Sequence, residues 1–307
     1  MIPIVSHEYI APLPPFAFIN SFKQSSIVRS FNMTGRLKAV STNNRANYKG
    51  IPIYSYDEIS PYTEKAIHPC STFRHHFYLS RIPAEFDPNV PAATYILKTR
   101  ATINEINMTL AAAECAVRIL VLVTDTNHII PSPQNTPDGF LMDYRISLAD
   151  LLVGGLEMTQ RKVLASQAIN LLSTLHAEPR AIIHGDFKPD NLIYDGKRLL
   201  LIDFEMAQHM SSVTFDRSQQ STPRYRSPQR IKVGFTSEYP VRKEDDYYAL
   251  AWTLYEIITG DHPFPNTTDL EAMSAIRKGQ GPDLTKVTDL RLLKFLEDYL
   301  KMGNSWT

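Results

Sequence analysis

The fold is decided by residues 184–205, which read HGDFKPDNLIYDGKRLLLIDFE. Asp195-Gly196 is typical of a two-residue type I′ turn, in which both central residues have positive φ. The residues on either side, 192–194 and 198–202, are apolar or long enough to form two arms. This stretch therefore predicts a β-hairpin.

Polar side chains stand at the open end of this predicted hairpin. Asn191 precedes the first arm, Asp203 follows the second, and Asp186 lies on the loop that enters the hairpin. Folding about the turn brings the two arm ends together, because paired strands of a hairpin run antiparallel. We therefore expect two carboxylates and an amide at one mouth.

Length and composition favour a folded intracellular protein. The 307 residues are 43% hydrophobic, which can support a full core. The 32 basic and 32 acidic residues balance, so no overall field marks a nucleic-acid binder. Two cysteines suit a reducing compartment better than a disulfide framework. No apolar run reaches membrane-spanning length, and the first 20 residues lack a basic start, so we expect no membrane span and a cytoplasmic location.

The chain divides into three parts by composition. Residues 1–66 contain several prolines, and we predict that they form a partly ordered or disordered extension. Basic residues prevail in it, which would suit an acidic partner or anionic lipid, or simply a solvated segment. Residues 67–143 are strand-rich and residues 144–307 are mostly helical, so we expect two lobes with a cleft between them.

Periodicity predicts the individual elements of both lobes. The predicted strands are 73–79, 94–98, 119–124 and 140–143, and the predicted helices are 104–115, 159–176 and 246–259.

The hairpin motif resembles part of a known family. HGDFKPDN resembles the catalytic loop of eukaryotic-type protein kinases, and LIDFE resembles their DFG element. This resemblance implies an α+β, bilobal protein-kinase-like fold, with a small β-rich lobe and a larger helical lobe. Three further segments resemble the family in the same order: YILK (95–98), STPRYRSPQ (221–229) and DDYYALAWTLYEIITGDHPF (245–264).

The resemblance implies a role for each residue at the hairpin mouth. Asp186 would accept the proton of a substrate hydroxyl, and Lys188 would lie beside the γ-phosphate of ATP. Asn191 and Asp203 would hold Mg²⁺, or Mn²⁺ in its place, since hard cations prefer oxygen ligands. Thr222 would bridge the catalytic Asp and Lys, as in Ser/Thr kinases.

The remaining phosphates of ATP would meet a lysine from the β-rich lobe. Lys98 ends YILK and would hold the α- and β-phosphates, itself oriented by a helix carboxylate. We favour Glu105 as this carboxylate, although it follows Lys98 by only seven residues. Glu114 is the alternative, because it stands close before the next predicted strand.

The adenine ring would lie between the lobes. By resemblance, Met142 backs the pocket and the backbone of Asp143 and Tyr144 pairs with the base. Ile96 above and Ile193 below would enclose it. Ordinary core packing is the alternative role for these apolar residues.

The chain departs from the family pattern at several places, which include the phosphate loop, Gly185, Glu205 and Gln229. No glycine occurs between Gly50 and Gly139, so a glycine-rich loop over the phosphates is absent. Ser71 and Thr72 hydroxyls would replace its donors, or form a plain turn. Gly185 stands where many kinases have an arginine, as in a non-RD kinase, so we expect little dependence on activation-loop phosphorylation.

Together these features predict an enzyme, an ATP-dependent protein serine/threonine kinase. Lys188-Pro189 after the catalytic Asp favours Ser/Thr over Tyr acceptors by resemblance. Two alternatives remain: a pseudokinase that binds nucleotide or acts as a scaffold, and a small-molecule kinase. The intact Lys98, Asp186 and Asp203 oppose the first, and STPRYRSPQ opposes the second.

Overall fold

The computed structural model of this chain describes residues 47–68, 76–83, 86, 92–126, 136–212, 221–233 and 242–302. Ser71 and Thr72, predicted to replace loop glycines, lie outside these residues.

A seven-stranded sheet forms the first part of the described chain, in the order β1-β2-β6-β7-β5-β4-β3. Neighbouring strands pair antiparallel except β2 and β6, which run parallel. The strands are β1 (Asn47–Tyr48), β2 (Ile51–Ser55), β3 (Thr63–His68), β4 (His76–Ile82), β5 (Ala93–Thr99), β6 (Ile119–Thr124) and β7 (Gly139–Asp143).

The sheet begins earlier in the chain than the sequence pattern indicated. β1, β2 and most of β3 lie within residues 1–66, for which the sequence predicts a partly ordered or disordered extension, and β4 is the first strand that overlaps a predicted one. Tyr48 of β1 contacts Asn107 of α2 (Ile103–Ala111), the helix that follows β5. Short turns of helix, including α1 (Tyr56–Ile59), complete this part. The division at residues 66 and 143 stays a prediction.

Helices dominate the second part of the described chain. α6 is buried on nearly all sides, as expected for the central helix of a core, and Gly260 ends it at φ +79°. The helices are α3 (Leu148–Val153), α4 (Met158–His176), α5 (Pro228–Val233), α6 (Lys243–Thr259), α7 (Asp269–Arg277) and α8 (Leu290–Met302). A β-sheet region followed by a helical region confirms the α+β, two-lobed expectation.

Short strands connect the two parts and form the predicted hairpin. β8 (Ile146–Ser147), β10 (Leu192–Tyr194) and β11 (Leu199–Leu201) form one small sheet, while β9 (Ile182–Ile183) pairs with β12 (Gln208–His209).

The hairpin turn is longer than the sequence predicted. Tyr194 pairs with Leu199, which leaves residues 195–198 as a four-residue loop. The Asp195 carboxylate accepts two backbone N–H groups from the end of this loop, at 2.8 and 2.9 Å. Gly196 alone among the four has positive φ, +94°. The prediction of a two-residue type I′ turn is therefore wrong, because the Asp195 side chain closes a wider loop.

Among the helices in the described residues, none is both long and apolar enough to cross a bilayer.

Candidate active site

Lys98 is the buried centre of an ion-pair group between β5 and α2. Its ammonium contacts Glu105 Oε1 and lies 2.7 Å from Asp203 Oδ1. The Lys98 and Glu105 side chains are both 0% exposed. α2 is started by Thr102, whose side chain accepts the backbone N–H of Glu105 at 3.0 Å. This cap places Glu105 in the first turn, facing the lysine.

The structure distinguishes between the two candidate carboxylates. Glu114 contacts Arg180 instead, from a 3₁₀ turn that follows α2. Burial by itself would lower the pKa of Lys98, but the charges of Asp203 and Glu105 outweigh it and raise that pKa. The amine therefore stays protonated.

Asp203 reaches Lys98 from the far end of the hairpin. Leu192 pairs with Leu201, and the N–H of Ile202 donates to the carbonyl of Asn191 at 3.0 Å. These contacts hold Asn191 and Asp203 at the same mouth, as the hairpin pattern predicted. Asp203 adopts a left-handed backbone, φ +64° and ψ +65°, which Asp tolerates better than most residues.

Asp186 lies at the centre of a second hydrogen-bonded group. Its carboxylate accepts the Thr222 N–H at 2.7 Å and lies 2.8 Å from the Lys188 ammonium. The Asn191 amide donates to it at 3.1 Å, and Lys188 also contacts the Thr222 hydroxyl. Burial would raise the pKa of Asp186, but the Lys188 charge and these hydrogen bonds lower it overall. Asp186 is therefore ionised at neutral pH.

Asn191 and Asp203 offer an oxygen donor set that fits Mg²⁺. The Asn191 amide nitrogen donates to the Asp186 carbonyl at 2.9 Å as well as to its carboxylate, which directs the amide oxygen away from Asp186. Within the described residues, no group of three His, Cys, Asp or Glu side chains could hold a metal alone. Two protein ligands suit magnesium that arrives with nucleotide phosphates and keeps its waters.

Apolar residues of β5, β7 and β10 pack together in one buried cluster. Ile96 pairs with Met142 across β5 and β7, and both belong to a buried cluster that includes Ile193. Asp143 ends β7, and Tyr144 follows it with 49% of its surface exposed. All five residues predicted for adenine thus lie in one region of the described chain.

Asp246 of α6 holds the backbone of the loop that carries Asp186. One carboxylate oxygen accepts the His184 N–H and the other accepts the Gly185 N–H, both at 2.8 Å. His176 Nε2 lies 2.8 Å from the first oxygen. Burial would raise the pKa of Asp246, but the His176 hydrogen bond and nearby histidines lower it overall. Asp246 therefore fixes the backbone that leads into Asp186.

We predict that Asp246→Asn destabilises the fold by about 2 kcal/mol, because the amide NH₂ must face a buried donor. Since the folded pKa of Asp246 lies below its ordinary value of 3.8, its stabilisation is present above that pH and is lost as pH falls through the folded pKa. Urea unfolding from about pH 7 to about pH 3 should show the gap from wild type narrowing. A gap that widens at low pH would contradict this account.

Gly185 occupies a position that admits no side chain. Its φ is +80°, and a Cβ would lie 2.8 Å from the Met206 carbonyl oxygen. Arg230, itself 4% exposed, donates to the Gly185 carbonyl at 2.7 Å. The arginine that many kinases have here is thus excluded by the backbone.

Sequence reasoning missed two residues of this site, His176 and Arg230. His176 ends α4, where a cationic residue is common, and Arg230 lies in α5. The position of His176 at a helix C-terminus could have identified it from the sequence. No spacing pattern connects Arg230 with the loop that carries Asp186.

The sequence of this chain matches a known protein family. A family profile described as protein kinase domain matches residues 99–301, more than half of the chain. The dual specificity mitogen-activated protein kinase kinase jkk-1 of Caenorhabditis elegans is 34% identical over 32% of this chain and 22% of its own length. Serine/threonine-protein kinase 36 of Mus musculus is 33% identical over 41% of this chain and 9% of its own.

A third relative aligns over more of the chain. The serine/threonine-protein kinase PAK mbt of Drosophila melanogaster is 29% identical over 59% of this chain and 29% of its own length. The chain thus spans less than a third of each of these relatives. The matched profile, together with the site that Lys98, Asp186 and Asp203 form, leads to one conclusion: this chain belongs to the protein kinase domain family.

Proposed function

We propose that this protein transfers the γ-phosphoryl group of ATP to Ser or Thr hydroxyls of protein substrates. One observation carries the proposal: the Asp186 carboxylate is held by Lys188, Asn191 and Thr222, beside the Lys98–Asp203 ion pair. A partly buried group of this kind, with shifted pKa values, is typical of a catalytic site.

Each side chain has a separate task in the proposed reaction. Asp186 accepts the hydroxyl proton on its carboxylate, which the Thr222 N–H holds at Oδ1 and which Lys188 and Asn191 hold at Oδ2. Lys188 neutralises charge at the γ-phosphate, and Lys98 orients the α- and β-phosphates. Asn191 and Asp203 hold Mg²⁺, or Mn²⁺ in its place. The bound cation neutralises charge that develops on the phosphate oxygens.

The proposal that Ser and Thr hydroxyls are the acceptors is supported by Thr222 and by the names of the relatives. Thr222 contacts both Asp186 and Lys188, so its backbone position fixes the region that a substrate hydroxyl would enter. Two of the relatives described above are named serine/threonine kinases and one is named dual specificity. Because ATP is the proposed donor, we place the reaction inside the cell, in the cytoplasm.

A pseudokinase is the second candidate, favoured by one specific observation. Without any glycine between Gly50 and Gly139, no bare backbone can approach the phosphates closely there. Such a protein would bind ATP weakly and transfer nothing.

Labelled ATP distinguishes these functions. Purified protein is incubated with γ-labelled ATP, Mg²⁺ or Mn²⁺, general protein substrates and small hydroxylated metabolites. Label on phosphoserine and phosphothreonine supports the proposal, and label on phosphotyrosine alone contradicts the acceptor class. Thermal stabilisation by ATP without any label identifies a pseudokinase. Label confined to metabolites identifies a small-molecule kinase.

A further inference from the structure

Tyr48 at the end of β1 and Lys49 after it both donate hydrogen bonds to α2. The Tyr48 hydroxyl donates to Asn107 Oδ1 at 2.8 Å, and the Lys49 ammonium donates to the same oxygen at 2.8 Å. One amide oxygen of α2 thus receives both bonds. Tyr48 and Lys49 belong to the turn region of β1 and β2, which precedes the profile match that starts at residue 99.

Asn107 lies across α2 from the residue that contacts Lys98. Successive helix residues are rotated by about 100°, so Asn107, two positions after Glu105, faces about 200° away. Glu105 is held by Lys98 on the cleft side, and Asn107 is held by β1 on the other. The helix is therefore fixed from two opposite sides.

The strand pair that holds Asn107 is itself anchored to the sheet. β2 pairs parallel with β6, with Ile53 opposite Leu122 and Ser55 opposite Thr124. Tyr54 on β2 is 1% exposed. Side chains of Ile51 and Ile53 pack against the buried cluster that contains Ile106 of α2. The strand pair is thus a rigid support rather than a loose tail.

A cavity separates part of this support from the end of α2. A cavity of about 830 Å³ is lined by residues 50–52 on one side and by Thr109, Leu110 and Ala113 on the other. The last turn of α2 therefore borders open space instead of packing against β2. The two bonds to Asn107 are therefore polar contacts that add to the apolar packing of Ile51 and Ile53 beside Ile106.

We propose that residues 47–55 are a positioning element that holds α2 where Glu105 meets Lys98, with Asn107 as its attachment point. The proposal rests on the proposed function, since it assigns Lys98 to the phosphates of ATP. Loss of the attachment lets α2 and Glu105 shift, so Lys98 is less well oriented toward ATP. The support thus influences how tightly the protein binds ATP, although it contacts α2 on the side away from Lys98.

Asn107→Ala tests this proposal in the full-length protein. Alanine favours helix more than asparagine does, so a defect cannot come from weaker intrinsic helix formation. We expect the KM and the dissociation constant for Mg·ATP to rise about fivefold, as loss of hydrogen bonds of ordinary strength implies. The KM for the protein substrate should not change. Asn107→Asp keeps the acceptor oxygens and should restore ATP affinity.

Two more variants complete the design. Tyr48→Phe removes one donor and should raise the ATP constant about twofold, and adding it to Asn107→Ala should have no further effect, because both remove the same contact. Asn170→Ala is the matched control, an exposed asparagine on α4, and should behave as wild type.

Hydrogen exchange separates this proposal from the proposed function. The amides of Ile103–Ala111 should exchange several-fold faster in Asn107→Ala than in wild type, whether or not the protein transfers phosphate. If wild type transfers no label yet the variant shows faster exchange and weaker ATP binding, the positioning element stands and the kinase activity does not. Unchanged exchange and unchanged ATP binding in Asn107→Ala overturn the positioning element. A lower melting temperature without a change in ATP affinity also overturns it.

Discussion

Replacing Asp186 by asparagine is expected to lower kcat for phosphoryl transfer about a thousandfold, within the range of a lost general base. Asparagine keeps the shape of the side chain but cannot accept a proton from the incoming hydroxyl. The lowered pKa of Asp186 means that the wild-type carboxylate is ready to act throughout the neutral pH range. The dissociation constant for Mg·ATP should stay within about threefold, because Asp186 does not contact Lys98, the residue assigned to the α- and β-phosphates.

A matched control lies four residues away. Asp190 is exposed and carries the same chemical group in the same loop, so Asp190→Asn should retain transfer close to the wild-type rate. Steady-state kinetics of both variants, with melting temperatures to show that each is folded, make the comparison. Equal loss in both variants, or undiminished transfer by Asp186→Asn, would show that Asp186 is not the base.

Asp203→Asn is expected to reduce transfer about a hundredfold or more, since it removes the only anionic side chain among the two proposed metal ligands. The same change takes one carboxylate from Lys98, which keeps Glu105 as its buried counter-ion. Because one partner remains, we expect the fold to survive, with a loss in unfolding free energy of about 1–3 kcal/mol.

The metal dependence of the defect is the informative part of this prediction. Raising Mg²⁺ or Mn²⁺ should recover part of the Asp203→Asn rate, because weaker binding can be offset by mass action. No such recovery should occur for Asp186→Asn, whose fault is the missing base. Metal rescue of both variants to the same extent would contradict the separate tasks assigned to the two carboxylates.

The hairpin mouth was predictable from sequence, whereas its turn was not. Antiparallel pairing brings Asn191 and Asp203 together whatever the turn type, so this inference did not depend on the error at Asp195. The turn type depended on which backbone groups the Asp195 carboxylate accepts. A two-letter pattern such as Asp-Gly does not contain that information.

Sequence spacing limited the carboxylate that contacts Lys98 to two candidates, but spacing alone did not decide between them. Glu105 and Glu114 both fit a helix that follows β5, and the choice depends on which helix face meets the sheet. Thr102 as the N-cap sets that face, and α2 ends at Ala111, before Glu114. Capping was the local signal that spacing alone overlooked.

The strands before residue 67 were missed for a different reason. β1 and β2 are short, contain Pro52, and follow a long stretch without clear periodicity. Their stability comes from parallel pairing with β6, some seventy residues later, and non-local pairing of this kind leaves little trace in local sequence. The same limit explains why Arg230 was not foreseen.

Titration of ATP into wild type and Asp203→Asn, each with Mg²⁺ and with EDTA, tests the central claim most directly. If Asn191 and Asp203 hold a nucleotide-bound cation, Mg²⁺ should tighten ATP binding to wild type by at least about tenfold, and Asp203→Asn should lose most of that gain. An equal gain from Mg²⁺ in both proteins would contradict the account, because the hairpin mouth would then not be where the metal binds.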